Sequence, residues 1–249
     1  MLSKAKIKLI RSLQIKKYRQ QEQLFVVEGA KSVAELLKSD FHIEMIAGTG
    51  EYLSTIEAPS SLLSEVKKED LESMGLFQSN ESALAVARMK PNELFKPAAG
   101  DLMLALDDLR DPGNLGTIIR TADWFGINRI VASNETADLY NSKVITSTMG
   151  SFTRVKIFYT DLTSYLSTIS AKLFGAYLEG TDVHETDFSG GGIVVIGNEA
   201  RGISPEVSAL ITNRITIPRY GRAESLNAAI ATAVICDNAC RQSQKKPLL

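Results

Sequence analysis

The stretch GGGIVVIGNEARGIS (190–204) decides the fold. Ile193, Val194, Val195 and Ile196 form an unbroken apolar run, the pattern of a strand buried on both faces. The run empties into an octet, 197–204, that holds two glycines with Asn198, Glu199 and Arg201 packed between them. A plain turn needs glycine but has no use for an amide, a carboxylate and a guanidinium in so short a span. Its outline, GxxxxG followed by Ile203 and Ser204, imitates a phosphate-binding loop, yet isoleucine replaces the lysine that would neutralise the phosphates. A ligand other than polyphosphate is expected there. Ser204-Pro205-Glu206 then reads as the start of a helix, with a serine cap, proline in the first turn and an acid at the positive end of the dipole.

Outward from this strand, apolar runs alternate with helical periodicity. Strands are expected at 102–107, 129–133, 155–159, 173–180 and 215–218, with helices at 114–125, 141–150, 161–170 and from about 225. Such alternation predicts an α/β fold with a mostly parallel sheet covered on both faces. A smaller α/β unit precedes it: strands at 24–29, 43–47 and 83–89, and helices at 30–39 and 66–75. The segment KPNELFKPAAGD (90–101) has two prolines and no clear period, so it reads as a linker. The expected domains are 1–97, a small α/β substrate-binding domain, and 98–249.

Two further strand ends carry unusual polar chemistry. After the strand at 102–107 comes LDDLRDPGNLGTIIRTADWFG (106–126), in which Asp111, Pro112 and Gly113 make a tight turn. Asn114 is placed to cap the following helix, whose packed face is Leu115, Ile118, Ala122 and Phe125, with Arg120 on the other side. Its glycine spacing, Gly113 and Gly116, is not that of a dinucleotide fingerprint. The last strand leads into ITIPRYGRAESLNAAIATAVICDNAC (215–240), where Ser225 or Asn227 begins the final helix.

Composition narrows the class. Of 249 residues 44% are hydrophobic and 23% charged, as in an ordinary soluble protein, and no stretch approaches the roughly 20 apolar residues of a membrane span. No apolar signal region opens the chain, and Cys236 and Cys240 read as reduced, buried thiols, so a cytoplasmic location is expected. With a formal net charge of −1, any nucleic-acid affinity must come from a local patch. One exists: Lys4, Lys6, Lys8, Arg11, Lys16, Lys17 and Arg19 lie in the first 21 residues with no acid among them. It reads as an RNA phosphate-binding edge, a solvated helix face or a transit peptide. No metal is expected: His184-Glu185 begins like a zinc motif but Phe188 stands where the second histidine would be, and Asp107, Asp108 and Asp111 merely border a turn.

Taken together, the three strand ends resemble the motifs of the SpoU (TrmH-like) ribose methyltransferases of the SPOUT superfamily. Asp111, Pro112, Asn114, Gly116, Arg120, Ala122 and Gly126 match the first motif. The second is met by Gly197, Glu199, Gly202, Ile203 and Ser204, and the third by Ile217, Pro218, Gly221, Ser225, Leu226, Asn227 and Ala231. The match covers roughly 102–240, and the N-terminal unit resembles the substrate-binding domain of that family. The resemblance implies a C-terminal trefoil knot, a homodimer, and S-adenosylmethionine bound near Gly197, Leu178, Ile217 and Leu226, with Ile203 among the apolar walls. It implies an RNA substrate, most often ribosomal, with transfer RNA as the alternative. One departure is that NSKVITSTMG (141–150) has Ser142 and Thr146 where the family has proline and arginine. If that arginine steadies RNA phosphate, this chain finds the contact elsewhere.

The resemblance assigns the chemistry to Arg120, Asn114, Glu199, Ser225 and Asn227. Family members are proposed to use the arginine at 120 as general base, but a guanidinium ordinarily stays protonated. A charged Arg120 clamping phosphate and stabilising a developing alkoxide is the simpler reading, the proton leaving to water, phosphate or a deprotonated Arg120. Glu199 is expected either to hold Arg201 or backbone amides in its turn, or to move a proton. Asn114 fixes the first loop or touches the ribose, and Ser225 and Asn227 cap the last helix or contact RNA or Arg120. Trp124 is expected to be a packing residue. The rival readings are a non-catalytic RNA-binding module on the same fold and a nucleotide-dependent enzyme.

Overall fold

The structure, a computed structural model, describes residues 2–75 and 82–242. The chain forms two compact units: residues 1–91 with 138–154, and residues 92–137 with 155–249.

The first unit contains α1 (Lys4–Ser12), α2 (Lys16–Glu22), β1 (Leu24–Glu28), α3 (Ala30–Leu37), β2 (Ile43–Gly48), α4 (Gly50–Leu53), β3 (Leu63–Glu65), α5 (Lys68–Met74) and β4 (Ala83–Arg88). The sheet order is β1-β4-β2-β3, antiparallel except for the β2–β3 pair. Strand alternation sorts the core. Val26, Met45, Ala47, Leu84 and Val86 face Ile10, Leu13, Leu71 and Met74 of the flanking helical segments. On β1 the neighbouring Phe25 points the other way and stacks against Phe41, Tyr140 and Phe152, at centroid distances of 5.5, 4.7 and 6.0 Å. These aromatics explain why 138–154 belongs here, although chain order places it within the second half. The expected helix in that segment is α7 (Ser142–Thr148), which packs on β1.

The second unit contains β5 (Leu102–Leu106), α6 (Pro112–Trp124), β6 (Arg129–Ser133), β7 (Lys156–Thr160), α8 (Leu162–Ser167), β8 (Leu173–Asp182), β9 (Gly192–Ile196), α9 (Pro205–Ser208), β10 (Asn213–Thr216) and α10 (Ala228–Gln242). Its sheet order is β10-β8-β9-β5-β6-β7, and every pairing is parallel. β9 is buried along its whole length, as the apolar run 193–196 predicts. Met103, Ala105, Val131, Ile193 and Val195 share one core with Leu162, Leu166 and Val207. α6 packs on α10. Residues 92–97, read from sequence as the tail of the first domain, dock on this unit. Asn92 exchanges two hydrogen bonds with the Tyr159 backbone at 2.8 and 2.9 Å, and Phe95 lies against Phe158.

β5 and β9 are neighbours from which the chain winds toward opposite edges of the sheet, β6 and β7 on one side, β8 and β10 on the other. That reversal is the point where such sheets usually take a ligand, outside the carboxyl ends of both strands.

Candidate active site

The loop after β5 begins with Asp107, which is buried and accepts from both the Ser204 N–H and the Ser204 hydroxyl at 2.7 Å. The β5 and β9 loops are thereby tied at the start of α9, and Ser204 gives its hydroxyl to Asp107 in place of a side-chain cap. Sequence reading set Asp107 aside as an ordinary turn acid. The signal that distinguishes it is its place directly after an apolar strand, where a carboxylate must find donors to be buried.

Helix α6 is capped by Asp111, whose carboxylate accepts from Asn114 N–H at 2.7 Å. The expectation that Asn114 caps this helix is therefore corrected, and its side chain is released for another task. The Asn114 amide nitrogen donates to Glu199 Oε1 at 2.9 Å, while its oxygen accepts from the Asn227 amide at 2.8 Å. The Asn227 oxygen in turn accepts from the N–H groups of Ala229 and Ile230, which begin α10. Each amide orientation is fixed from outside: a carboxylate at one end demands a donor, and helix N–H groups at the other demand an acceptor. One residue from each of the three motifs thus joins a single relay.

Glu199 does not hold Arg201. That expectation fails because Arg201 ion-pairs with Asp108, whose other carboxylate oxygen accepts from Arg110 Nε at 2.6 Å. Asp108 adopts a left-handed backbone, φ 57°, and its carbonyl accepts from the Asn198 amide at 2.8 Å. Asn198 Oδ1 accepts from Ala200 and Arg201 N–H, so a side chain closes the turn.

Gly197 is required for a reason other than ligand approach. A Cβ there would lie 2.2 Å from the Gly202 carbonyl carbon and 2.3 Å from Ile203 N, so the chain's own backbone fills that space. Ile203 is buried with Met103, Val131, Val195 and Val207, so its side chain serves the core. Leu178, Leu226 and Ile217 remain accessible, the first two at 71% and 50% exposure. The β8–β10 register jumps between Gly175 and Thr181, which frees residues 176–180 from the ladder. Thr216 Oγ1 then donates to the Leu178 carbonyl at 3.0 Å and ties that excursion beside Ile217. Aliphatic side chains left open in this way suit the flat faces of a nucleoside base.

Arg120 is exposed on α6 and, among the described residues, its guanidinium makes no hydrogen bond or ion pair. Ser225 is exposed in the loop before α10. Trp124, expected to pack, is 84% exposed. In the first unit Lys4, Lys8, Arg11, Lys16 and Lys17 are exposed on α1, α2 and their approach. Arg19 is not among them. It is buried, donates to the carbonyls of Leu13 and Gln14 at 3.0 and 2.8 Å, and pairs with Asp138 at 2.6 Å, so it stabilises the fold and is withdrawn from the basic patch. The Thr146 hydroxyl is buried, so it offers no contact to an external phosphate.

Residues 101–237 match the model of the SpoU rRNA methylase family, and residues 4–85 match the MRM3-like substrate-binding domain. The chain belongs to the SpoU rRNA methylase family. It is 31% identical over 234 residues to the 23S rRNA (guanosine(2553)-2'-O)-methyltransferase RlmP of Bacillus subtilis, covering 92% of this chain and 94% of that one. A TrmH-family structure from Porphyromonas gingivalis superposes with a TM-score of 0.88 at 38% identity, covering 98% of this chain and all of the other. The AdoMet-bound rRNA methyltransferase of Sinorhizobium meliloti superposes with a TM-score of 0.87 at 29% identity, covering 97% and 96%. As a SpoU methylase, the chain carries all three motifs at the strand ends where sequence placed them.

Proposed function

We propose that this SpoU-family chain is an S-adenosylmethionine-dependent methyltransferase that modifies a ribose 2′-hydroxyl in ribosomal RNA. The observation that carries the reading is the Glu199–Asn114–Asn227 relay, which draws the three family motifs into one arrangement at the switch point of the sheet.

S-adenosylmethionine, when bound, supplies the methyl group and a cationic sulfur leaving group. Leu178, Ile217 and Leu226 would hold it through apolar contact, and the main chain from Gly197 to Ile203 would meet its polar edges. The chain's own task is to bring a ribose hydroxyl into line and to ease loss of its proton. Alignment of reacting groups to about 3–3.5 Å can by itself lower the barrier by several kcal/mol. The uncommitted Arg120 guanidinium is suited to clamp RNA phosphate and to stabilise charge developing on the 2′-oxygen. Asn114 and Asn227 hold the first and third loops around it, and Ser225 lies in the same third loop. Glu199 carries the charge that orients Asn114.

Lys4, Lys8, Arg11, Lys16 and Lys17 would grip the RNA from the first unit. The trefoil knot belongs to the same reading, since β10 runs at the sheet edge while α10 returns to pack on α6. So does a homodimer: Trp124 and Ile230, 84% and 51% exposed, stand on those two helices, and a second copy would cover them.

The test is transfer of tritiated methyl from S-adenosylmethionine to ribosomal RNA taken from a strain lacking the protein, followed by mapping of ribose methylation. Arg120→Ala should lower kcat about 10²–10³-fold, the usual effect of removing a group that stabilises a developing oxyanion. A normal rate in that variant refutes the role given to Arg120.

A further inference from the structure

The loops after β5 and β9 hold two arginines that the relay does not use. Arg110 and Arg201 are 62% and 66% exposed, yet both guanidiniums are anchored on the carboxylate of Asp108, one on each oxygen. The anchor is itself fixed. The Asp108 N–H donates to Ser133 Oγ at 3.0 Å, its carbonyl accepts from Asn198 at 2.8 Å, and its side chain is only 18% exposed. Its backbone lies in the left-handed region at φ 57°, a conformation that glycine adopts more readily. An aspartate at such a position is justified by what its carboxylate holds.

Each guanidinium presents five N–H donors in a planar fork, and Asp108 uses one from each. The remaining donors face solvent. Two positive charges against one carboxylate leave one in excess. The other carboxylates nearby keep their charge but are turned to donors of their own: Asp107 accepts from Ser204, Asp111 caps α6, and Glu199 accepts from Asn114. Glu135 also faces Arg110, but it is exposed and screened by salt. Arg201 lies two residues from Glu199, and Arg110 four before Asn114, so the pair flanks the relay.

We propose that Arg110 and Arg201, held by Asp108, form a clamp for the RNA phosphodiester backbone beside the target nucleotide, with Asp108 as its positioning residue. The inference rests on the methyltransferase reading above and adds a substrate contact to it. Pre-ordering by a shared carboxylate lowers the entropy lost when two long side chains close on a phosphate.

The experiment compares wild type with Arg110→Gln/Arg201→Gln and with Asp108→Gly. Three quantities are measured: KM and kcat on unmethylated ribosomal RNA, affinity for a short fluorescein-labelled oligouridylate across salt, and affinity for S-adenosylhomocysteine by calorimetry. The double variant should raise KM about tenfold, with a smaller effect on kcat. Loss of two phosphate contacts should also flatten the plot of log Kd against log salt by roughly 1.4. Asp108→Gly keeps the left-handed turn and both arginines but frees them, so it should raise KM by a smaller factor. Affinity for S-adenosylhomocysteine should not change. Unaltered KM and salt slope overturn the clamp, as does a matching loss of S-adenosylhomocysteine affinity, which would show that the arginines hold a carboxylate. If wild type transfers no methyl, the methyltransferase reading fails, while the salt slope still decides whether the arginines bind phosphate.

Discussion

Asn114 donates to Glu199 at 2.9 Å across 85 residues of sequence, and the same side chain accepts from Asn227, 113 residues further on from itself. Each amide has one orientation that satisfies both of its neighbours. A substitution that reverses polarity anywhere should therefore disturb all three loops.

Asn114→Asp places a carboxylate against Glu199 and should lower kcat/KM on RNA at least tenfold, with little change in the thermal midpoint because the group is partly exposed. A double-mutant cycle between Asn114→Ala and Asn227→Ala, read in kcat/KM, should return a coupling of about 0.5–3 kcal/mol. Strict additivity would show that the two amides act independently.

Gly197→Ala tests the backbone crossing beneath the site. Its Cβ has no room beside Gly202 and Ile203, so the loop must shift. Overpacking of this kind typically costs about 1–3 kcal/mol, and the chemical denaturation midpoint should fall accordingly. A stability equal to wild type would mean that the two loop arms separate freely.

Arg19 and the lysines that precede it should part company experimentally. Arg19→Ala leaves Asp138 without its buried partner and should cost about 3–5 kcal/mol of stability. Lys16→Ala/Lys17→Ala should leave the denaturation curve in place and reduce the salt dependence of RNA binding by about one per lysine removed. The opposite pattern would return Arg19 to the basic patch.

Burial pushes the Cys236 thiol well above its ordinary range. An unfolded thiol loses its proton above about pH 8.5 while the buried one keeps it, so the unfolded chain binds fewer protons and stability falls as pH rises. Between pH 9 and 10 this one group should contribute a decline of up to about 1.4 kcal/mol per pH unit, absent in Cys236→Ala. Tyr140, pushed up to about 12 by burial, adds its own decline only at higher pH. A wild-type slope equal to that of Cys236→Ala would show that the thiol is reached by water.

The sheet was legible because its central strands are apolar without interruption. Buried on both faces, they have no polar positions to blur the pattern. The three loops were legible for the reverse reason, since polar groups and glycine crowd directly after such runs. What sequence could not convey is partnership. Arg19 looked like its neighbours in a basic segment until Asp138, 119 residues away, took it into the interior. Arg201 stood two places from Glu199 and yet pairs with Asp108. Ile203 satisfied a binding motif while packing the core. Residues 138–154 follow the first motif in the chain but join β1 through Tyr140 and Phe152, a choice made by aromatic contact and not by order.

The amide that closes the relay belongs to Asn227, at the threshold of α10. During synthesis, then, a nascent chain halted before that residue already has all six strands of the second sheet but lacks the group that fastens its third loop to the first. The Glu199–Asn114–Asn227 contacts are completed only when α10 has emerged from the ribosome and settled, so an incomplete product lacks the fastening of its three loops.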